Sequence, residues 1–322
     1  MQLALQTQPG RAPRAISIFD EVRRKYLAAL ATYTGRPTIL YATKWTTPGA
    51  DPQLTNINVE DLQGFMEVMH GLAGSELDLI VHSPGGSAEA AEALVKYIRS
   101  RFDNVRVFVP RAAMSAATML ACSANSIVMG KHSFLGPIDP QFILQTQSGL
   151  ASVPAHAIEE QFAQAKKECK SDPSLLATWL PIIQQYGPAL IVQCRLAREL
   201  SEQLVTGWLD QYMFAGQPPG SGAIIAKKLA DHSNFKSHSR FIDRAQARAL
   251  GLSAIADLET DQQLQDAVLS VFHAATHTFG ATGCVKVIEN NLGKTFLKVQ
   301  QQFMMMPQLG QPTPTLPPSG NP

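Results

Sequence analysis

Hydrophobic and polar positions along the chain follow two alternating patterns, which predict a repeated order of strand, turn and helix. Apolar residues recur at helical spacing from residue 16 to about residue 34, and the β-branched run TILYAT then predicts a strand. VEDLQGFMEVMHGL predicts a second helix with Asn58 as its N-cap, and LDLIVHS is a nearly continuous apolar run typical of a buried parallel strand. The helix SAEAAEALVKYIRSRF and the strands VRVFVP and SIVMG follow. This order predicts an α/β fold with a parallel sheet and right-handed crossovers.

The pattern changes after SIVMG. KHSFLGPIDPQF is rich in turn formers and predicts a surface loop beside the strand ends, and residues 155–212 predict long helices broken at Pro173, Pro181 and Pro188. RFIDRAQARALGLSAIADLE returns to α/β character before a final helix and a Pro-rich tail without apolar periodicity. The segments predicted are an N-terminal helical segment at 1–36, a core at 37–154, a helical arm at 155–232, a return to the core with the final helix (about 262–279) at 233–306, and a disordered tail at 307–322.

Composition narrows the classes of function. The 322 residues have a formal net charge of +1 and only 16% charged side chains, so there is no electrostatic footprint for nucleic acid or an anionic membrane. Four cysteines without C-x-x-C spacing predict neither a zinc site nor a disulfide framework. No apolar run has transmembrane length, and the first residues lack the apolar core of a signal peptide. We therefore expect a soluble, cytoplasmic protein without metal or cofactor that acts on a small molecule or a polypeptide.

Two segments carry candidate chemistry: His82-Ser-Pro-Gly-Gly-Ser87, which follows a buried strand, and Ala112-Ala-Met-Ser-Ala-Ala117, which opens a helix. In a parallel sheet both lie at the carboxyl ends of strands, where ligands bind. The Ser115 hydroxyl could attack a carbonyl there while the N–H groups of Gly85 and Ala116 hold the oxyanion. Each motif alone is more often structural, as a strand-to-helix turn or an N-cap. If the two motifs act together, the chemistry that they could perform is acyl transfer.

The order and separation of these motifs resemble Clp-type peptidases and signal peptide peptidase A, and most closely the serine dehydrogenase proteinase family of that clan. The resemblance runs from about residue 39 to residue 307 through LDLIVHSPGGSAEAAE, AMSAATM, SIVMGKHSFLGPIDPQ, YGPAL, FKSH and LETDQQLQDAVLSVFHA. It implies a Clp/crotonase-type spiral of strand-strand-helix units with a helical insertion. It also implies a serine endopeptidase that forms an acyl-enzyme, takes polypeptide substrates and assembles as a homo-oligomer whose helical arm shields a chamber.

The resemblance also implies a difference from the Clp peptidases in the general base, because the segments that carry their catalytic histidine and aspartate align at or near Asp139 and at about Ser239 here. Signal peptide peptidases use a lysine about fifty residues beyond the serine, which implies Lys167 first and Lys166 second. A lysine serves as a base at neutral pH only if burial lowers its pKa to roughly 7–8. The segment AIEEQFAQAKKECK predicts an amphipathic helix on which one of the pair lies near the apolar face.

Several histidines offer other interpretations. His238 is a rival base with Asp139 as its orienting carboxylate. His82, beside the glycine turn, and Gly86 within it are candidates for lining the pocket. His273 and His277 have the spacing of a zinc-binding helix but lack its glutamate, so no zinc site is expected there.

Two further functions stay open at this stage. The Clp/crotonase fold also supports acyl-CoA hydratase or hydrolase chemistry, in which paired amides hold a thioester enolate. The other alternative is a catalytically degenerate peptidase that serves as an oligomeric binding scaffold.

Overall fold

The computed structural model of the chain describes residues 17–146 and 149–300, so the predicted tail lies outside the described residues. The strands are β1 (Thr38–Thr43), β2 (Glu76–His82), β3 (Asn104–Val109), β4 (Ala112–Ala113), β5 (Ser126–Met129), β6 (Phe134–Leu135), β7 (Gln141–Thr146), β8 (Gly149–Pro154), β9 (Ile242–Asp243), β10 (Ile255–Asp257), β11 (Cys284–Asn290) and β12 (Thr295–Val299).

The α-helices are α1 (Ile18–Thr34), α2 (Pro52–Thr55), α3 (Glu60–Met69), α4 (Ala88–Arg99), α5 (Ala116–Cys122), α6 (Ala155–Ser171), α7 (Leu176–Ile183), α8 (Leu190–Trp208), α9 (Ser221–Ala230), α10 (His232–Phe235), α11 (Arg244–Leu250) and α12 (Gln262–Ala281). Short 3₁₀ turns cover Pro173–Leu175 and Leu258–Thr260, and a π turn covers Leu209–Met213. In the described part of the chain, none of the helices combines the length and the apolar character needed to cross a bilayer.

The central sheet has the strand order β10-β5-β3-β2-β1-β11-β12. The first five strands are parallel, which confirms the predicted parallel sheet. The sheet continues through β11 and β12, which are antiparallel and were not predicted. Their sequence, CVKVIEN and TFLKV, is rich in β-branched residues.

Helices cover both faces of the sheet. Alternate residues of a strand point to opposite faces, so Ile39 and Leu79 join the core under α3, α4 and α5, while Leu40 and Ile80 join the core under α1 and α12. This explains why β1 is buried along its whole length and reads as a continuous apolar run. The carboxyl ends of β1, β2 and β3 therefore meet along one edge of a two-sided core.

The segment after β5 contradicts the predicted surface loop. Leu135, Ile138 and Asp139 are at most 2% exposed. A loop can be buried only if its backbone finds partners. Here the Gly136 N–H donates to the Thr118 hydroxyl at 2.9 Å, and the Ile138 N–H donates to a carbonyl of α9 at 3.0 Å.

The segment predicted as a helical arm contains α6, α7 and α8, and it is preceded by a β7–β8 hairpin that was not predicted. The hairpin, α6 and α8 share a small core of their own. Pro173 opens a 3₁₀ turn and Pro188 precedes α8, but Pro181 lies inside α7, so the predicted break there is wrong.

Candidate active site

Ser115 lies between β4 and α5 with φ 51° and ψ −123°, a conformation that is strained for a residue with a side chain. The chain is tied down on both sides of it: the Met114 N–H donates to the Ser83 carbonyl at 3.0 Å, and the Ala117 N–H donates to the Met114 carbonyl at 2.8 Å. A sharp strand-to-helix turn of this kind also carries the serine in the nucleophile elbow of α/β-hydrolases.

The glycine turn packs directly against this serine. Gly85 has φ 92°, and a Cβ at this position would lie 2.5 Å from the Met114 carbonyl oxygen. Gly86 has φ 152°, and its Cβ would lie 2.3 Å from the Ile57 carbonyl oxygen. Only glycine fits at either position, because both the backbone angle and the space exclude a side chain.

The hydrogen bonds of the glycine turn show which of its backbone N–H groups are already paired and which face the other way. Ile57 donates to the Gly85 carbonyl at 2.7 Å and accepts from the Ser87 N–H at 3.0 Å, so the N–H of Gly86 between them points away from Ile57. The Gly85 N–H donates to the Ser83 hydroxyl oxygen at 3.2 Å. Among the described residues, the N–H groups of Gly86 and Ala116 have no such acceptor.

A cavity of about 530 Å³ opens over these groups. Ser115, Ala116 and Gly86 form one wall, and Phe142 and Ile143 of the hairpin form another. His238 also lines this cavity. The structure thus brings together the serine, the turn and one of the two kinds of base considered from the sequence.

Asp139 holds this histidine in place through a hydrogen-bond contact. It is 2% exposed, its Oδ1 is 2.8 Å from Nδ1 of His238, and its Oδ2 is 2.9 Å from Nδ1 of His232. The Gln141 side-chain amide donates to the same Oδ2 at 3.0 Å. When the Nδ1–H group of a neutral imidazole donates to a carboxylate in this way, Nε2 is the ring nitrogen that can accept a proton.

The two lysines of the sequence hypothesis lie elsewhere. Lys166 and Lys167 are exposed on α6, whose buried residues are Ala155, Ile158 and Ala165. Neither lysine lines the cavity at Ser115. In this chain, the burial that a lysine base needs is therefore not provided at either position.

His82 is buried at the end of β2, and its Nδ1 is 3.2 Å from the Ala112 carbonyl. Burial, together with the nearby Arg111 charge, lowers the pKa of His82 to about 4, so the ring is neutral at pH 7. It lines a second, smaller cavity of about 220 Å³ beside Phe272, not the cavity at Ser115. A structural role at the sheet edge fits these contacts.

His232 was missed from the sequence. It lies at the start of α10, six residues before His238, and nothing in its neighbourhood marks it as a partner of Asp139. The β7–β8 hairpin could have been predicted, because a Gln-Ser-Gly stretch separates the β-forming runs FILQT and LASV.

His273 and His277 are exposed, and among the described residues no group of three or more His, Cys, Asp or Glu is arranged to hold a metal ion.

Residues 53–178 match a family model that is described as ClpP-like SDH-type serine proteinase. Two uncharacterized proteins of Methanocaldococcus jannaschii are similar to the chain. The first is 31% identical over 121 residues, which is 37% of this chain and 40% of the relative. The second is 34% identical over 100 residues, which is 31% of each protein. The chain thus spans less than half the length of these curated relatives.

Comparison with solved structures gives a membrane-bound stomatin-specific protease with a TM-score of 0.36 and 15% identity, covering 62% of this chain and 74% of that one. A second chain of that protease, in complex with a substrate peptide, has a TM-score of 0.25 and 14% identity, covering 57% and 76%. Both scores are too low to support a structural argument.

The family match includes Gly85, Gly86, Ser115 and Asp139 but ends before His238. It coincides with the part of the chain that holds the SPGG and AMSAATM motifs. The resemblance carried by these motifs is confirmed, since residues 53–178 match the model of the ClpP-like SDH-type serine proteinases.

Proposed function

We propose that the chain is a serine peptidase in which Ser115 is the nucleophile, His238 the general base and Asp139 the carboxylate that orients the histidine. One observation carries this proposal. His238 lines the cavity of Ser115, and its Nδ1 is 2.8 Å from the buried Asp139. The family of the matched segment supports the reaction class.

The proposed reaction is acyl transfer to the serine. Nε2 of His238 takes the Ser115 hydroxyl proton as Oγ attacks the peptide carbonyl, and Asp139 stabilises the imidazolium that forms. His238 then gives this proton to the leaving amine, and the C–N bond breaks. Water hydrolyses the acyl-enzyme by the same steps, with His238 again accepting and returning a proton.

The oxyanion donors in this proposal are the N–H groups of Gly86 and Ala116. The sequence argument favoured Gly85, whose N–H already donates to the Ser83 hydroxyl. Gly86 instead lines the cavity beside Ser115 and Ala116. Two donors aimed at the developing charge are worth several orders of magnitude in rate, since each contributes about 10²–10³.

The proposed substrate is a polypeptide in extended conformation. The cavity has strand β7 on one side and the turn that includes Gly86 and Ser87 on the other, and an extended chain fits between two such edges. Met119, Ile138 and Phe142 supply apolar contacts for its side chains. A homo-oligomer that encloses this cavity is part of the same proposal.

Labelling with a fluorophosphonate, together with cleavage of fluorescent casein, tests the function. We expect labelling of the wild-type chain, none of the Ser115→Ala variant, and casein cleavage that falls at least about 10³-fold in that variant. A folded wild-type chain that neither labels nor cleaves would contradict the proposal and favour a binding scaffold. Labelling without cleavage of any polypeptide would favour acyl-ester or acyl-CoA chemistry.

A further inference from the structure

A fully buried ion pair lies behind the glycine turn, and the proposed chemistry does not use it. Lys286 of β11 and Asp61 of α3 both have 0% exposed side chains. The Lys286 Nζ donates to the two carboxylate oxygens of Asp61 at 2.7 and 2.8 Å and to the Asn56 carbonyl at 2.8 Å. The Tyr41 hydroxyl donates to the same carboxylate at 2.7 Å.

This pair fixes the chain on both sides of Ile57. Lys286 holds the carbonyl of Asn56, and the carboxylate of Asp61 accepts the N–H of Asn58 at 3.1 Å. Ile57 between them keeps its own N–H and carbonyl for the glycine turn. The position of Ile57 thereby determines where Gly86 lies, because a single methyl group would not fit between the two backbones.

A second connection runs from the same carboxylate through side chains. The Ser83 side chain lies near enough to Tyr41 to act on the pKa of its hydroxyl, and the Ser83 oxygen accepts from the Gly85 N–H at 3.2 Å. The backbone of Ser83 is hydrogen-bonded to Ala112 and Met114, which lead directly into Ser115. Asp61 is thus connected to both ends of the turn.

Stability alone is a weak reason for this arrangement. Removing two charges from water costs several kcal/mol each, and apolar replacements of a buried pair are often neutral or stabilising. A buried pair does, however, fix a geometry, because every donor and acceptor must be satisfied in one arrangement. The backbone that it fixes here is the partner of Gly86.

We propose that Lys286, Asp61 and Tyr41 are positioning residues that hold the glycine turn at the distance from Ser115 at which the Gly86 N–H meets the oxyanion. This rests on the proposed function. The residues touch no substrate; their effect is on the rate of the chemical step and not on substrate affinity.

The same strand provides a matched control. Glu289, three residues after Lys286 in β11, points to the opposite sheet face and forms an equally buried ion pair with Arg23 of α1. The Arg23 guanidinium also donates to the Thr278 hydroxyl at 2.9 Å and to Asp20 at 2.8 Å. This network is also a buried ion pair with hydrogen-bonded neighbours, but its contacts are with α1, α12 and β12 and not with the glycine turn.

The experiment compares the double variant Lys286→Met/Asp61→Asn with the control Arg23→Met/Glu289→Gln, and adds Tyr41→Phe, which removes one hydroxyl and keeps the packing. We expect kcat and the fluorophosphonate labelling rate to fall at least about tenfold in the first and about threefold in Tyr41→Phe, with KM within twofold. In the control, kcat and the labelling rate should stay within twofold of the wild type, although its free energy of unfolding falls by an amount comparable to that of the test variant.

Hydrogen exchange of the peptide that covers residues 79–90 provides a readout without turnover. We expect faster exchange in the Lys286→Met/Asp61→Asn and Tyr41→Phe variants, and wild-type exchange in the control. Equal rate losses in test and control, or wild-type labelling and exchange in Tyr41→Phe, would overturn the inference. If the wild-type chain itself does not label, the proposed function fails, and the exchange comparison still decides whether the network positions the turn.

Discussion

At the scale of single residues, the most informative feature is the backbone of Ser115. A non-glycine residue at φ 51° and ψ −123° costs about 1–3 kcal/mol, and such strain persists where surrounding contacts impose it. Here those contacts come from Ser83 on one side and from the first turn of α5 on the other. The backbone strain of the site therefore lies at the residue that is proposed to react.

Replacing Ser115 by glycine tests this strain. Glycine adopts this backbone without a Cβ penalty, so Ser115→Gly is expected to raise the free energy of unfolding by about 1 kcal/mol while fluorophosphonate labelling is lost. Denaturant unfolding measures the first effect. The control, Ser115→Ala, should lose labelling without this gain. A glycine variant less stable than the alanine variant would contradict the interpretation.

The choice of base gives a second prediction at this scale. His238→Ala is expected to lower kcat about 10²–10⁴-fold, because it removes the group that is proposed to accept the Ser115 proton. Lys167→Ala and Lys166→Ala should stay within about twofold of the wild type, since both lysines are exposed. Casein cleavage by the three variants decides the matter. Loss of activity only in a lysine variant would show that the base comes from a neighbouring copy of the chain.

Single residues were predictable to different degrees. The glycines and Ser115 are adjacent to strand ends and carry a local signal, so the sequence places them together. The contact between Asp139 and His238 joins two loops that are far apart in the chain, and no local pattern encodes it. The sequence could name both residues but could not rank them above a lysine pair that only the resemblance suggested.

At the scale of elements, the parallel strands and their helices were predictable because each has a strong period. β1 matches TILYAT residue for residue. The predicted N-cap of α3 is one residue too early, because Val59 is the N-cap, although the Asn58 side chain still accepts from the Glu60 N–H at 3.1 Å. The segment after β5 was wrongly predicted as a surface loop. Its turn-forming residues are typical of exposed loops, and the sequence does not show that the N–H groups of residues 136 and 138 are hydrogen-bonded in the interior. Composition predicts turns well but not their burial.

The end of β2 gives a prediction about acid stability. His82 has a folded-state pKa of about 4 and an ordinary value of 6.5, so between these values the unfolded chain binds a proton that the folded chain does not. Stability is therefore retained above pH 6.5 and is lost as the pH falls toward 4, by about 3 kcal/mol for this group. Denaturant unfolding at several pH values measures the loss, which should be smaller in His82→Asn. An unchanged pH profile in that variant would contradict the assignment.

At the scale of the whole molecule, the helical arm leaves much apolar surface exposed. α7 has no buried residue, and side chains on α7 and α8 that are between 39% and 54% exposed include Leu176, Leu180, Ile191 and Leu196. Monomeric soluble proteins rarely expose large apolar patches, so such a patch often marks a surface that binds another protein. The arm is therefore the surface where we expect copies of the chain to meet.

Light scattering coupled to gel filtration tests this assembly. We expect the wild-type chain to elute as a defined multiple of its own mass, and Leu176→Lys/Leu180→Lys to shift it toward the monomer. Leu292→Lys, at an exposed position in the turn between β11 and β12, is the matched control and should not shift it. A wild-type chain that is monomeric at micromolar concentration would contradict the expectation.

The distance along the chain between Ser115 and His238 has a consequence during synthesis. When a ribosome has produced residues 53–178, the nascent chain already holds the nucleophile and the carboxylate, but the histidine has not yet been made. In the proposed mechanism, hydrolysis then requires that the chain be made beyond α10 and that His238 reach Asp139. If the proposed mechanism holds, a nascent chain cannot cleave itself before residue 238 has left the ribosome.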